Sequence, residues 1–211
     1  MKTRPRPPRA EPRRRALGAL AGLLLAGAGA RAGAQASTQA GFDLPALMAL
    51  LARRRSGEAR FTEERTVAAL DAPLRASGRL SFQAPDRFAR YTEQPRAESM
   101  EVLGNTVVLK RGTRTRQITL DTVPELAALA DALRGTLTGN AEVLQRHFEV
   151  QVAGSAERWT LTLTPRSAQL QGSLRAIEIF GVRADVRSID MALAGGDRSL
   201  MLIEPLKAAT P

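Results

Sequence analysis

Residues 57–109 read GEARFTEERTVAALDAPLRASGRLSFQAPDRFARYTEQPRAESMEVLGNTVVL, and this stretch decides the fold. Four short runs in it alternate apolar and polar residues, namely a run around Phe61 and the runs 78–83, 87–92 and 100–103. Turn-forming residues stand between or beside the runs, at 71–73, 84–86 and 104–105. Period-two alternation between short turns predicts an antiparallel meander with one apolar face. In the first run we expect Phe61 to point inward, and Arg60 and Glu63 to point outward.

The rest of the chain extends this meander in both directions. Before it, Asp43 and Gly57 bracket an amphipathic helix over 44–53, with Arg53, Arg54 and Arg55 at its end. After it come strands at 107–109 and 117–120, helices at 124–134 (closed by Gly135) and 141–147, and strands at 148–152, 159–165, 173–180, 183–193 and 199–203. The order of strands, helices and strands predicts a mainly β, α+β fold in which helices cover one face of a large antiparallel sheet.

The net charge of +10 does not indicate a nucleic-acid binder. The first 34 residues hold eight cations and one anion, so the remainder, with 23 cations and 20 anions, carries only about +3. One Trp and one Tyr are too few for a single-strand binding surface. A basic start, an apolar run at 16–26 and small residues after it predict a cleaved signal peptide over 1–34, with the boundary between 30 and 36, and hence export to the periplasm.

Catalytic and metal-binding side chains are scarce in this sequence. His147 is the only histidine and there is no cysteine, so we expect no catalytic triad, thiol nucleophile, disulfide or histidine metal site. The acidic pairs Glu63/Glu64 and Asp185/Asp190 admit a carboxylate-pair hydrolase, although paired surface charges are the ordinary interpretation. The sequence therefore favours a binding protein without cofactor or metal over an enzyme.

A basic cluster at Arg111, Arg114 and Arg116 is the one charged motif left in the mature chain. Near-alternate spacing predicts that the three side chains share the outer face of a hairpin. Two interpretations stay open, a solvated sheet edge that resists aggregation and a docking patch for an acidic partner.

Several motifs resemble the LolA-like family of periplasmic outer-membrane lipoprotein carriers. They are, in order, ARFTE at 59–63, GRLSFQAPDRF at 78–88, TEQP at 92–95, LGNTVVL at 103–109, WTLTLTP at 159–165 and LRAIEI at 174–179. The resemblance covers most of residues 42–207, which we expect to form a single lipoprotein-carrier-like domain. It implies an unclosed antiparallel β-barrel, a highly curved sheet whose concave apolar face lies under a helical lid. The family has an arginine before the proline of the 84–86 turn that ties lid to sheet, whereas this chain has Ala84.

The resemblance also implies a function and a set of binding residues. The chain is expected to be a carrier that shields acyl chains of lipoproteins or another lipid on the way to the outer membrane, receiving cargo from an inner-membrane donor complex and passing it to an outer-membrane acceptor. A sensor or adaptor that binds lipid without transporting it is the alternative, and a monomer is expected. The residues implied to line the lipid cavity are Leu47, Leu51, Phe61, Leu80, Phe82, Phe88, Met100, Val102, Val107, Leu109, Leu129, Leu133, Trp159, Leu161, Leu163, Ile177 and Ile179.

Overall fold

The computed structural model of the chain describes residues 42–206, so the predicted signal peptide lies outside the described residues. The first half of the domain consists of α1 (Leu44–Leu51), β1 (Ser56–Thr66), β2 (Leu74–Gln83), β3 (Arg87–Gln94), β4 (Glu98–Leu103), β5 (Thr106–Arg111) and β6 (Arg114–Thr119). The second half consists of α2 (Pro124–Thr138), α3 (Ala141–His147), β7 (Phe148–Gly154), β8 (Trp159–Pro165), α4 (Ala168–Gln171), β9 (Leu174–Val182), β10 (Asp185–Leu193) and β11 (Arg198–Pro205).

All eleven strands form one antiparallel sheet in the order β6-β5-β4-β3-β2-β1-β11-β10-β9-β8-β7. The pairing of β1 with β11 joins the two ends of the chain at the centre of the sheet, from Ala59 opposite Pro205 to Thr66 opposite Arg198. In the described part of the chain β6 and β7 each have a neighbour on one side only, so the sheet does not close. The predicted mainly β fold with an unclosed antiparallel sheet is confirmed.

The ends of two helices differ from the sequence-based prediction. Helix α1 stops at Leu51, two residues early, and places none of the three arginines in its last turn. Helix α2 runs through Gly135 to Thr138 and ends at Gly139, whose φ of 67° suits a glycine. Gly135 lies where α2 meets α3, because a Cβ there would stand 2.7 Å from Cγ of Leu144. Its role is close packing, which a sequence pattern cannot distinguish from helix termination.

Two separate apolar clusters hold the sheet and the helices together. The first packs α1, α2 and α3 against β7, β8 and β9, and includes Leu47, Leu144, Phe148 and Trp159. The second packs another part of α2 against β2 to β5 and includes Phe82, Phe88 and Val107. Helix α2 belongs to both clusters, so it bridges the two halves of the sheet.

Candidate functional site

An apolar cavity of about 460 Å³ lies between the two clusters. Its floor is formed by strands from both halves of the sheet, since Ile118 of β6 and Ile179 of β9 both line it. Residues so far apart in the strand order can share one cavity only because the sheet is strongly curved. Helix α2 covers it with Leu126, Leu129, Leu133 and Leu137.

Twelve of the seventeen predicted lining residues lie at this cavity. Phe82 and Phe88 stack with ring centroids 5.5 Å apart at its β2–β3 side. Met100 is the most exposed of the twelve, with 37 % of its surface accessible. The twelve are Leu51, Leu80, Phe82, Phe88, Met100, Val102, Val107, Leu109, Leu129, Leu133, Ile177 and Ile179.

The other five predicted lining residues pack outside the cavity. Alternation along a strand identifies the inward face but does not show whether that face meets a helix or an open space. The inward side chains of β8 belong to the first cluster, together with residues of α1, α2 and α3. Phe61 is buried under the guanidinium of Arg90, 4.5 Å from its ring centroid. The five residues are Leu47, Phe61, Trp159, Leu161 and Leu163, each no more than 1 % exposed.

The sequence analysis missed the central part of the floor. Strands β10 and β11 contribute half-buried aliphatic side chains, among them Val186, Ile189, Met191 and Ile203. Apolar residues recur along β10 at Val186, Ile189 and Met191, but a β-bulge between Val186 and Ser188 interrupts the alternation. The central position of these strands follows from the pairing of β1 with β11, which the sequence pattern does not reveal.

One end of the floor is closed by an arginine–glutamate pair. Arg90 of β3 donates from Nη2 to Oε2 of Glu63 at 2.6 Å, and Ser199 Oγ lies 2.6 Å from the other oxygen of Glu63. Glu63 therefore points inward, contrary to the prediction, because it stands two residues after the inward Phe61 on the same strand. Arg90 crosses β2 to reach β1, and β2 has a glycine, Gly78, opposite Phe61.

A second charged pair lies at the opposite end of the floor. Arg54, just after α1, runs over Gly57, whose missing Cβ would stand 3.2 Å from Nη1 of Arg54. It forms an ion pair with Asp185 at the start of β10, and Asp185 also contacts Arg187 at 3.3 Å. Of the three arginines that follow α1, Arg54 thus makes a structural contact with the sheet.

The acidic pairs do not form a hydrolase site. Glu63 and Glu64 point to opposite faces of β1, and Glu64 pairs with Arg75 at 3.1 Å. Asp185 pairs with Arg54, whereas Asp190 lies on the other face of β10 and pairs with Arg198. Within residues 42–206 no three His, Cys, Asp or Glu side chains come together as a metal site, and no helix is long and apolar enough to span a bilayer.

A different arginine ties the helical lid to the sheet. Arg134 of α2 donates from Nη2 to the carbonyl of Gly104, in the β4–β5 turn, at 3.0 Å. Its Nη1 bonds Asp131 at 2.6 Å, and the second oxygen of Asp131 lies 3.2 Å from Nε2 of His147. Ala84 packs against the second cluster, and its N–H donates to the carbonyl of Arg55 at 2.8 Å. In this chain the arginine stands on the lid helix and its partner lies in a turn of the sheet, whereas the resemblance implied an arginine in a turn of the sheet.

We expect Arg134→Gln to loosen the lid. The change removes a charge-assisted bond to the Gly104 carbonyl, so the free energy of local opening of α2 should fall by about 1–2 kcal/mol. Native-state hydrogen exchange of the α2 amides, compared with those of β8, measures it. Arg146→Gln, an exposed arginine on α3, is the matched control. Unchanged protection of α2 would show that the tie is not energetically significant.

The basic cluster lies on the concave face, not on the outer face as predicted. The register of β3 to β6 places their inward-facing residues in rows of direct cross-strand neighbours, and successive rows extend the cavity floor outward. The first row is apolar and runs Phe88, Val102, Val107 and Ile118. The next runs Arg90, Met100, Leu109 and Arg116, and the one beyond it runs Thr92, Glu98, Arg111 and Arg114. Arg114 and Arg116 therefore form the outer rim of the cavity floor, which we call the arginine rim.

Comparison with known proteins identifies the family. The model of the family described as outer membrane lipoprotein carrier protein LolA-like matches residues 32–210. A search of curated proteins returns no match. Among solved structures, a LolA superfamily protein from Nitrosomonas europaea is 9% identical, with 80% of this chain and 95% of that chain covered and a TM-score of 0.43. The lipoprotein LppX from Mycobacterium tuberculosis is 12% identical, with 78% and 99% covered and a TM-score of 0.39.

The family match spans far more than half of the chain. Its limits enclose every described helix and strand, so it includes both strands that meet at the sheet centre and the helix that covers the cavity. The chain belongs to the LolA-like family of outer membrane lipoprotein carrier proteins.

Proposed function

We propose that this protein is a periplasmic carrier that holds acyl chains of a lipid or lipoprotein in its apolar cavity during transfer toward the outer membrane. The observation that carries the proposal is the cavity itself. Two closed clusters flank an apolar space of about 460 Å³ whose aliphatic floor is left half-buried at Val186, Ile189 and Ile203. A protein interior is normally packed to the density of an organic crystal, so an apolar space this large suits a guest molecule.

The energetics of acyl chains explain why a carrier is needed. Each buried methylene is worth ~0.8 kcal/mol, so a chain of sixteen carbons has a transfer term near ~12 kcal/mol. Such a chain does not cross an aqueous compartment unshielded at a useful rate. Release must also occur, and a wide aliphatic cavity under a helical lid is suited to both steps.

The family supports the general role, because its members are carrier or binding proteins and not enzymes. It also supports a place in the cell envelope. We propose in addition that residues 1–34 are a cleaved signal peptide, that 42–207 act as one carrier domain, and that an inner-membrane donor and an outer-membrane acceptor exchange the cargo. These partners follow from the family's transport role.

Native mass spectrometry of the protein purified from the periplasm tests the proposal. Adducts with the mass of a lipid or lipoprotein should accompany the protein and disappear on delipidation. A protein that is repeatedly empty, when purified without detergent, would contradict it.

Membrane fractionation of a deletion strain separates transport from sensing. Transport predicts that the cargo accumulates in the inner membrane when the protein is missing. Normal distribution of lipids and lipoproteins, together with altered transcription, would instead identify a lipid-binding sensor.

A further inference from the structure

The cavity is large enough for an acyl chain. A methylene at the packing density of a protein interior occupies ~27 Å³, so a cavity of about 460 Å³ has room for at least one chain of about sixteen carbons.

The residues at the edge of the floor define where a headgroup would lie. Arg116 is the direct cross-strand neighbour of the cavity residue Leu109, and Leu109 is the neighbour of Met100, which is 37 % exposed. A chain lying on the apolar rows would therefore emerge from the cavity beside Met100. Adjacent strands are ~4.8 Å apart, so the emerging end lies within reach of the arginine rim.

The charge balance at this edge favours an anion. Arg90 is occupied by Glu63 at 2.6 Å, and Arg111 is occupied by Glu98 at 2.6 Å. Arg114 and Arg116 have no carboxylate partner among the described residues, and both are exposed. Two adjacent guanidinium groups can hold a phosphate with charge-assisted hydrogen bonds.

We infer that the cargo is an amphiphile with an acyl chain in the cavity and an anionic, phosphate-type headgroup, and that Arg114 and Arg116 hold this headgroup at the rim of the cavity. The inference rests on the proposed function and selects a lipid over a lipoprotein as the ligand. Because positive charge lies beside the apolar floor, the protein should bind an anionic lipid more tightly than a neutral lipid with the same acyl chain.

The test uses the delipidated mature protein and probes that differ in one property at a time. Palmitoyl lysophosphatidylglycerol has one chain and an anionic phosphate head, and 1-palmitoylglycerol has the same chain and a neutral head without phosphate. Dipalmitoyl phosphatidylglycerol adds a second chain, and inorganic phosphate has the anion alone. Affinity is measured by displacement of a fluorescent fatty-acid analogue below the micelle concentration, at low and high salt. The variant Arg114→Gln/Arg116→Gln is compared with Arg158→Gln/Arg175→Gln, two exposed arginines away from the cavity lining.

The expected result is one lysophosphatidylglycerol per protein, bound about tenfold more weakly by the rim variant, because two charge-assisted contacts are lost. High salt should remove most of this difference, because both arginines are exposed. The affinity of the rim variant for the neutral probe should fall less than about twofold, and the control variant should bind lysophosphatidylglycerol as the wild type does.

Two outcomes would overturn the inference. These are equal affinity of the wild type for the anionic and the neutral one-chain probe, and displacement by inorganic phosphate alone, which would identify a free-anion site. If none of the lipid probes binds, the proposed carrier function fails as well. Equal binding of the anionic and neutral one-chain probes leaves the carrier function standing and refutes the headgroup site alone.

Discussion

Leu80→Asp is expected to weaken binding of a one-chain lipid by at least about 100-fold, because a carboxylate would be buried against the acyl chain at a cost of several kcal/mol. Leu80 lies on the cavity floor, half-buried, between Ala59 and Arg90 on the neighbouring strands. The fold should survive, since Leu80 is half-buried and belongs to neither apolar cluster. Probe displacement measures the affinity, and circular dichroism together with thermal melting measures the fold.

The control for this variant is Thr62→Asp, an exposed residue on the opposite face of β1. It adds the same charge to the same sheet without touching the cavity, so lipid affinity should stay as in the wild type. Phe82→Asp is unsuitable as a test variant, because Phe82 is 9 % exposed and stacks on Phe88 in the second cluster, so the change would also disturb the fold. A Leu80→Asp protein that melts normally and binds lipid normally would place the lipid elsewhere.

Gly181→Ala is expected to destabilise the domain by about 3 kcal/mol through overpacking. A Cβ at this position would lie 2.0 Å from Cζ2 of Trp159, which is 1 % exposed and anchored by a 2.8 Å bond from Nε1 to the carbonyl of Arg183. The ring cannot move away without disturbing the first cluster. For a domain of this size, 3 kcal/mol corresponds to a fall in Tm of roughly 6–12 °C.

Differential scanning calorimetry of the delipidated protein provides the measurement. Gly172→Ala is the matched control, since its nearest neighbour would be the carbonyl oxygen of Gln169 at 3.2 Å and its backbone is helical. That variant should melt within about 2 °C of the wild type. If the Gly181→Ala protein melts at the same temperature as the Gly172→Ala protein, the contact between Gly181 and Trp159 is not as close as described.

The sequence was sufficient for the strands but not for their arrangement. Alternation at 78–83 and 159–165 predicted β2 and β8 because a strand with one buried face must alternate. The centre of the sheet could not be predicted in this way, since the pairing of β1 with β11 joins residues about 140 positions apart and leaves no local pattern. Gly135 was misjudged for the same reason, because its contact with Leu144 is tertiary.

The site shows the same limit. An inward apolar position can meet a helix, as Leu161 does, or an open space, as Leu80 does, and the two look alike in a sequence. Whether an inward apolar residue belongs to a packed cluster or faces the cavity depends on where the helices lie on the sheet. The face of the arginine rim was likewise misjudged, because it depends on the register of β5 with β6, where Leu109 stands opposite Arg116.

The unclosed sheet has a consequence for self-association. An edge strand with free backbone groups is a template for pairing with another copy of the same chain. If two copies met through β6 about a two-fold axis centred on Thr115, Arg114 of one copy would face Arg116 of the other. Like charges directly opposite each other across paired strands are repulsive, so this register opposes pairing of the empty protein through β6. An anion bound between the arginines would remove that repulsion, so we expect association through this edge to depend on the bound headgroup.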